Sequence, residues 1–259
     1  MSAPVLLVFD YPGRRPEARV SDLRLADAGY DVRQLMTPPL PRAASAAAYA
    51  RQALDAAARS LGEVHAVLGY CMAAPLAQEA AVLTGCPRVL LFDGEPSTPQ
   101  AVEVEYRKLL ISVGASAALP SWWDSALLRE PSQRFLGHAE RHLTQTIRRS
   151  MAEQAEPGED GEEDGDEELA PLVDGFLDWL AYLVAAYRTG HPAWGGSVVN
   201  FLSRQQPEIS AWPGARSTRS VRVDTAREDL LTDATTRRHV LETLSGPRPA
   251  HAHPEEGAQ

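Results

Sequence analysis

A chain of 259 residues, 44% of them hydrophobic, can bury a full core, and it fits one sizeable α/β domain or two small ones. The net charge of −10 is local, because Glu153–Glu168 holds ten acidic residues and no basic one, which leaves 25 acidic against 25 basic residues elsewhere. The sequence has no basic stripe with interleaved aromatic residues, which argues against nucleic acid as a partner.

Cysteine content and hydropathy indicate the cellular compartment of the protein. Two cysteines, Cys71 and Cys86, are too few for a disulfide framework in so long a chain and favour a reducing environment. The start M-S-A-P-V-L-L-V-F-D has no basic region before its short apolar run, and nowhere do eighteen apolar residues follow one another. We therefore expect a soluble, cytoplasmic protein with no membrane partner.

The first part of the chain alternates strands and helices. The predicted strands are Val5–Phe9, Asp31–Met36, Val64–Leu68 and Arg88–Phe92, and the predicted helices are Ser21–Ala28, Arg42–Leu61 and Met72–Ala81. This alternation predicts an α/β protein whose parallel strands are joined by right-handed crossovers. Ligands of such sheets bind at the carboxyl ends of the strands, where Cys71, Asp93 and the loop Asp10–Arg14 all fall.

The strand rhythm stops between Thr98 and Gly190. Helical patterns cover this part, and two further strands (Ser197–Leu202, Ser220–Asp224) and a helix (Thr232–Leu244) follow it. We expect residues 1–97 and 191–244 to form the core and residues 98–190 to form an inserted helical lid. The acidic stretch 153–168 should be a disordered loop of that lid, because it is too charged to pack, and 245–259 should be a disordered tail. The acidic stretch could instead chelate a metal or make an electrostatic contact.

Cys71 lies between a strand and a helix in the sequence G-Y-C-M-A. Gly69 and Ala73, two residues to either side, are small, as required where a strand reverses sharply into a helix. This is the pattern of a nucleophile elbow with Cys in place of the more usual Ser, and the helix N-terminus would favour its thiolate. The alternative is that Cys71 is an inert core residue, since free Cys is among the most buried residue types.

With the elbow, an Asp ending the fourth strand and a helical insertion before two closing strands, residues 4–244 resemble a known family. They are similar to the α/β-hydrolase thioesterases that act on carrier-protein-bound chains in non-ribosomal peptide and polyketide synthesis. The resemblance implies an α/β-hydrolase fold, a mostly parallel sheet with helices on both faces and an inserted helical lid. It also implies an acyl or peptidyl carrier protein as partner, a small acyl or peptidyl substrate and no cofactor.

The resemblance also assigns roles to residues. It makes Cys71 the nucleophile and Asp93 the acid of a triad, with an oxyanion hole from the backbone N–H groups of Met72 and Gly13. Asp93 could instead merely cap the turn F-D-G-E-P.

The expected triad His is missing. The family carries it just after the last strand, where this chain has V-D-T-A-R-E-D, so Arg227 falls at or next to that position. Arginine stays protonated and cannot act as the base, but it can stabilise a thiolate. Acylation of Cys71 by a thioester is therefore expected to be easier than hydrolysis of the acyl-enzyme, because hydrolysis requires a base that deprotonates water.

These residues leave three functions open. The first is a thioesterase-like acyl, aminoacyl or peptidyl transferase or hydrolase that works through Cys71. The second is a pseudoenzyme that binds a chain or ligand without chemistry, as replacement of a triad residue would suggest. The third is a dienelactone-hydrolase-like enzyme, since that family also carries Cys in a similar elbow, although its acid and His are not recognisable here.

The remaining histidines could act as a base or as metal ligands. His191, in T-G-H-P, could swing toward Cys71 but is also typical of a loop residue. His138 and His142 are spaced four apart around Glu140, which would put both rings on one helix face as metal ligands. No third ligand is evident, so a solvated helix face is the simpler interpretation, and no metal is expected.

Overall fold

The computed structural model describes residues 3–12, 17–57, 62–154 and 165–247. Within these residues six strands form one sheet in the order β2-β1-β3-β4-β5-β6, and every neighbouring pair is parallel. The strands are β1 (Val5–Phe9), β2 (Asp31–Gln34), β3 (Val64–Tyr70), β4 (Arg88–Phe92), β5 (Trp194–Leu202) and β6 (Ala215–Arg222). The predicted α/β class and parallel sheet are confirmed.

The central strands are buried on both faces, which explains their continuous apolar sequences. β1 and β4 are buried at every position. On one face, side chains such as Leu68 and Leu90 share a hydrophobic cluster with Val240 and Leu244 of the last helix. On the other face the helix after β3 packs against β3, β4 and β1. Helices therefore cover both faces, as expected.

The described helices are α1 (Ala46–Ala57), α2 (Ala74–Thr84), α3 (Pro99–Ser112), α4 (Ser132–Gln154), α5 (Gly165–Tyr187) and α6 (Ala234–Ser245). The predicted helix at Ser21–Ala28 is wrong in detail, since two short 3-10 turns, Val20–Leu23 and Leu25–Ala28, replace it. Arg24 separates them with a φ of 48°, a left-handed conformation that ends a helix.

The chain divides into two compact units. The first contains the described residues of Met1–Pro38, Ala46–Pro96 and Thr189–Gln259, and hence the sheet. The second contains Pro39–Ser45 and the described residues of Ser97–Arg188; we call it the helical unit. Within it α5 packs against both α3 and α4.

Two sequence predictions of disorder fall mainly outside the described residues. Of the acidic stretch 153–168, the helix α4 includes 153 and 154 and α5 begins at Gly165, so its ends are helical; 155–164 lie outside the described residues. Of the tail 245–259, Ser245 ends α6, and residues 248–259 lie outside the described part.

One helix of the described chain passes a test of length and composition for a membrane span. It is Leu169–Tyr187 in α5, and more than half of the tested window is buried inside the protein. A core helix of a soluble protein passes the same test, so this observation is weak support for a membrane segment.

Candidate active site

The chain turns from β3 into α2 through a short 3-10 helix, Cys71–Ala73. Cys71 itself has a φ of 53°, in the left-handed region. Such a conformation costs a residue with a side chain about 1–3 kcal/mol and is concentrated at functional sites. The strained turn places Cys71 at the carboxyl end of β3, which is a central strand of the sheet.

Gly69 is required by the packing of this turn. A Cβ at Gly69 would lie 2.9 Å from the Cβ of Ala77 on α2 and 3.3 Å from Leu91 on β4. Real Cβ atoms essentially never approach to 2.9 Å, so α2 can lie this close to β3 only over a glycine. The small residue two positions before Cys71 therefore has a packing reason.

Arg227 contacts the sulfur of Cys71. Its Nη2 lies 2.8 Å from Sγ, which is hydrogen-bond distance for a charged donor. The guanidinium carbon also lies 5.9 Å from the centre of the Tyr70 ring, and Nε lies 3.9 Å from a carboxylate oxygen of Glu17. The segment that follows β6 thus brings a permanent positive charge to the sulfur of Cys71.

Glu95 approaches the same sulfur and was missed by the sequence analysis. Its Oε1 lies 3.7 Å from Sγ of Cys71, within the range of an S–H···O hydrogen bond. Gln206 donates from Nε2 to the other oxygen of this carboxylate at 3.4 Å. The only signal in the sequence was a second acidic residue shortly after β4, in F-D-G-E-P. Cys71 therefore lies between a cation and an anion.

Asp93 is fully buried, and its carboxylate is occupied by Ser203. The backbone N–H of Ser203 donates to Oδ1 at 2.7 Å, and its hydroxyl donates to Oδ2 at 2.8 Å. Burial raises the pKa of Asp93, although both Ser203 hydrogen bonds and the charge of Arg227 act to lower it. Among the described residues, the hydrogen bonds found for the Asp93 carboxylate therefore come from Ser203 and not from a histidine.

The pKa of Cys71 reflects three competing influences. Burial of the sulfur is the largest and raises the pKa, Arg227 lowers it, and Glu95 raises it again; the result is a pKa of about 11. The residue as a whole keeps partial exposure to solvent. The backbone N–H of Met72, at the start of the helical turn, also lowers the pKa, but burial outweighs it.

Two neighbouring groups respond to the same surroundings. Burial raises the pKa of Tyr70 to about 12, with Arg227 opposing the shift. Burial also disfavours the charge of Arg227, but its interactions with Cys71, Tyr70 and Asp93 outweigh burial and hold its pKa above the ordinary value. Arg227 is thus a cation whether Cys71 is protonated or not.

Of the two residues expected to form the oxyanion hole, the structure describes Met72 but not Gly13. The backbone N–H of Met72 acts on the Cys71 sulfur and lowers its pKa, so this amide lies beside that sulfur. Gly13 lies outside the described residues. The described start of its loop is anchored, because Arg19 donates to the carbonyl oxygens of Tyr11 at 3.2 Å and Pro12 at 3.0 Å.

The structure does not bring His191 to Cys71. His191 precedes β5, whereas Cys71 follows β3, and since the strands are parallel these positions lie at opposite edges of the sheet. The nine residues of β5 span about 30 Å at 3.3 Å per residue. None of the hydrogen bonds found among the described residues joins a histidine to Cys71.

His138 and His142 belong to an aromatic cluster of the helical unit. Nδ1 of His142 lies 2.8 Å from the hydroxyl of buried Tyr106, and the ring of His138 stacks on Trp122 with centroids 5.2 Å apart. Trp123 and Phe135 belong to the same cluster. Across the described ranges no three His, Cys, Asp or Glu side chains are grouped as metal ligands.

Comparison with known proteins agrees with this architecture. No family model and no curated protein matches the sequence. The NocB thioesterase domain from the nocardicin cluster superposes with a TM-score of 0.51 at 15% identity, over 95% of both chains. The chain has the α/β-hydrolase fold.

Two further structures set the limits of that statement. The Vlm2 thioesterase domain, bound with a dodecadepsipeptide, matches with a TM-score of 0.51 at 13% identity, over 94% of this chain and 92% of that one. A mutant of a candidate epoxide hydrolase from Pseudomonas aeruginosa matches with a TM-score of 0.50 at 17% identity, over 94% and 89%. At such identities the likeness shows the fold alone, and the fold hosts more than one chemistry.

Proposed function

We propose that this protein is a thioesterase-like acyl, aminoacyl or peptidyl transferase or hydrolase that acts on carrier-protein-bound thioesters through Cys71. The observation that carries the proposal is the 2.8 Å contact between Arg227 Nη2 and Cys71 Sγ at a strained turn between a strand and a helix. A cation on the sulfur has little use in an inert core residue, but it stabilises the thiolate that attacks a thioester.

The acylation step follows from these contacts. The Cys71 thiol loses its proton to solvent, and the thiolate attacks the carbonyl carbon of the thioester. The C–S bond to the carrier then breaks, and the carrier leaves as a thiolate that takes up a proton. Arg227 stabilises the negative sulfur before attack, and the N–H of Met72, with that of Gly13 as a second proposed donor, would bind the oxyanion.

The expected partners come from the family resemblance and the structural neighbours. Thioesterase domains act on chains that a carrier protein delivers, and one neighbour is part of a four-domain nonribosomal peptide synthetase. We therefore propose an acyl or peptidyl carrier protein as partner and a small acyl or peptidyl group as cargo, in natural-product biosynthesis. The reduced thiol that this chemistry needs fits a cytoplasmic location.

Mass spectrometry of the intact protein tests this function. Incubation with carrier protein loaded with acyl or aminoacyl groups should add one acyl mass to the wild type and none to Cys71→Ala. Cys86→Ala is the matched control, because Cys86 is buried and its thiol donates to the carbonyl of Arg88 at 3.4 Å. It should be acylated like the wild type. An adduct that survives Cys71→Ala would overturn the proposal.

The alternative is a pseudoenzyme that binds a chain or ligand. The binding of Asp93 to Ser203 and the presence of Arg227 in place of a base favour it, since together they leave no acid–His–nucleophile triad among the described residues. A protein of this kind would bind acyl carrier protein or a free acyl chain in calorimetry and give no covalent adduct. Hydrolysis of small lactones would instead favour the dienelactone-hydrolase-like function.

A further inference from the structure

Glu95 is the one described carboxylate that contacts the sulfur of the nucleophile position. Its Oε1 lies 3.7 Å from Sγ of Cys71, on a residue that is half-buried. Arg227 contacts the same sulfur but cannot accept a proton. Of the two side chains that contact this sulfur in the described residues, Glu95 is therefore the one that can accept or return a proton.

The Glu95 carboxylate is held in place from two directions. On the chain side, the preceding residue Gly94 exchanges two hydrogen bonds of 3.0 Å with the side chain of Asn200 on β5. At the carboxylate itself, Gln206 donates to Oε2 at 3.4 Å, and Arg222 anchors the segment of Gln206 by binding the carbonyl oxygens of Ser203 and Gln206, both at 2.7 Å. The backbone before Glu95 and the donor to its carboxylate are thus both held in place, as a positioned base requires.

We infer that Glu95 is the general base of the second half of the reaction, the step that removes the acyl group from Cys71. This inference rests on the proposed function. Once Cys71 carries the acyl group, an incoming amine or water attacks the carbonyl carbon while Glu95 takes its proton. The bond from carbon to Sγ breaks, and the sulfur leaves as a thiolate facing Arg227. Glu95 then returns the proton to the sulfur, and the resting thiol and carboxylate are restored.

Glu95 has a different effect on the free thiol, and that difference makes the role testable. Its negative charge raises the pKa of Cys71, so removing the charge should leave more thiolate at a given pH. Glu95→Gln should therefore react with iodoacetamide at least as fast as the wild type. Loss of a general base should slow deacylation by about 100-fold or more.

The experiment follows formation and decay of the acyl adduct in the wild type, Glu95→Gln and Glu95→Asp. We expect Glu95→Gln to form the adduct and to hold it about 100-fold longer in the presence of water or an amine. Glu95→Asp keeps the charge on a shorter side chain and should fall between. Glu242→Gln, an exposed carboxylate on α6, is the control and should decay like the wild type.

Each outcome decides between distinct conclusions. An unchanged adduct lifetime in Glu95→Gln would overturn the role of Glu95 and leave the proposed function intact. Loss of both adduct formation and iodoacetamide reactivity in that variant would show that Glu95 only shapes the site, which also overturns its role as the base. Absence of any adduct in the wild type would overturn the proposed function itself.

Discussion

Arg227 and Cys71 are separated by 156 positions in sequence, yet Nη2 of one lies 2.8 Å from Sγ of the other. The pair joins the turn after β3 to the segment after β6. Because Arg227 is a permanent cation, it can stabilise negative sulfur but cannot accept a proton from it. Proton transfer must use another group.

Replacement of Arg227 by Met should make Cys71 less reactive. The guanidinium lowers the pKa of the thiol, so without it the pKa rises further and less thiolate exists at any pH below that value. We expect iodoacetamide to react about tenfold more slowly at pH 8, because an opposite charge at this distance shifts a pKa by about 1–3 and the guanidinium is partly screened by solvent. Arg219→Gln, on β6, is the control. An unchanged rate from pH 7 to 10 in Arg227→Met would contradict this explanation.

The sequence predicted the parts of the site that depend on local pattern. The small residues around Cys71 identify the turn because they lie within two positions of it, and the apolar runs of β3 and β4 locate the strand ends. Arg227 was reached only through the resemblance, which told us where a His should be. Strand β6 was placed too late in the chain, at Ser220 rather than Ala215, because its polar, alternately exposed residues carry little hydrophobic pattern.

The contacts that decide the chemistry were beyond the sequence. Whether Asp93 faces a histidine or Ser203 depends on the register between β4 and β5, and no residue pattern fixes a register between strands that are distant in sequence. Glu95 reaches Cys71 across 24 positions because both follow neighbouring parallel strands. The sequence placed both residues at one edge of the sheet but could not place their side chains.

Gly69→Ala should destabilise the protein. The added methyl would lie 2.9 Å from Ala77 Cβ, so α2 must move away from β3 or the turn at Cys71 must shift. Overpacking of this kind costs about 1–3 kcal/mol of unfolding free energy, to be measured by urea denaturation. Gly62→Ala is the matched control, because nothing lies within 4 Å of its added methyl. Equal stability of the two variants would show that the turn tolerates a side chain at Gly69.

Arg88→Met should loosen the end of α6. Arg88 is 3% exposed, and its guanidinium donates to the carbonyl oxygens of Leu244, Gly246 and Pro247 at 2.9–3.0 Å. The Leu244 oxygen keeps its hydrogen bond to His65 Nε2 at 2.9 Å, but the oxygens of Gly246 and Pro247 lose the Arg88 donor, at a cost of about 1–3 kcal/mol for each one that stays buried. Hydrogen exchange should then speed up in the last turn of α6. In the exposed Arg204→Gln variant exchange should stay unchanged; equal exchange in all three proteins would refute the anchoring role.

Asp93→Asn should change how stability depends on pH. Burial raises the pKa of Asp93 in the folded protein above its ordinary value of 3.8, so the folded chain holds the proton more tightly than the unfolded chain. Protonation therefore favours folding, and the contribution of Asp93 to stability is largest below that ordinary value and declines as the pH rises through the raised one. Asn keeps an acceptor for the Ser203 backbone N–H but has no charge to bury. The stability of Asp93→Asn relative to the wild type should consequently increase between pH 4 and 7, measured as the difference in urea unfolding free energy.

The control for this prediction is Asp224→Asn, whose side chain is 88% exposed and which should give a smaller change. A difference between Asp93→Asn and the wild type that stays flat with pH would show that Asp93 does not titrate differently in the two states.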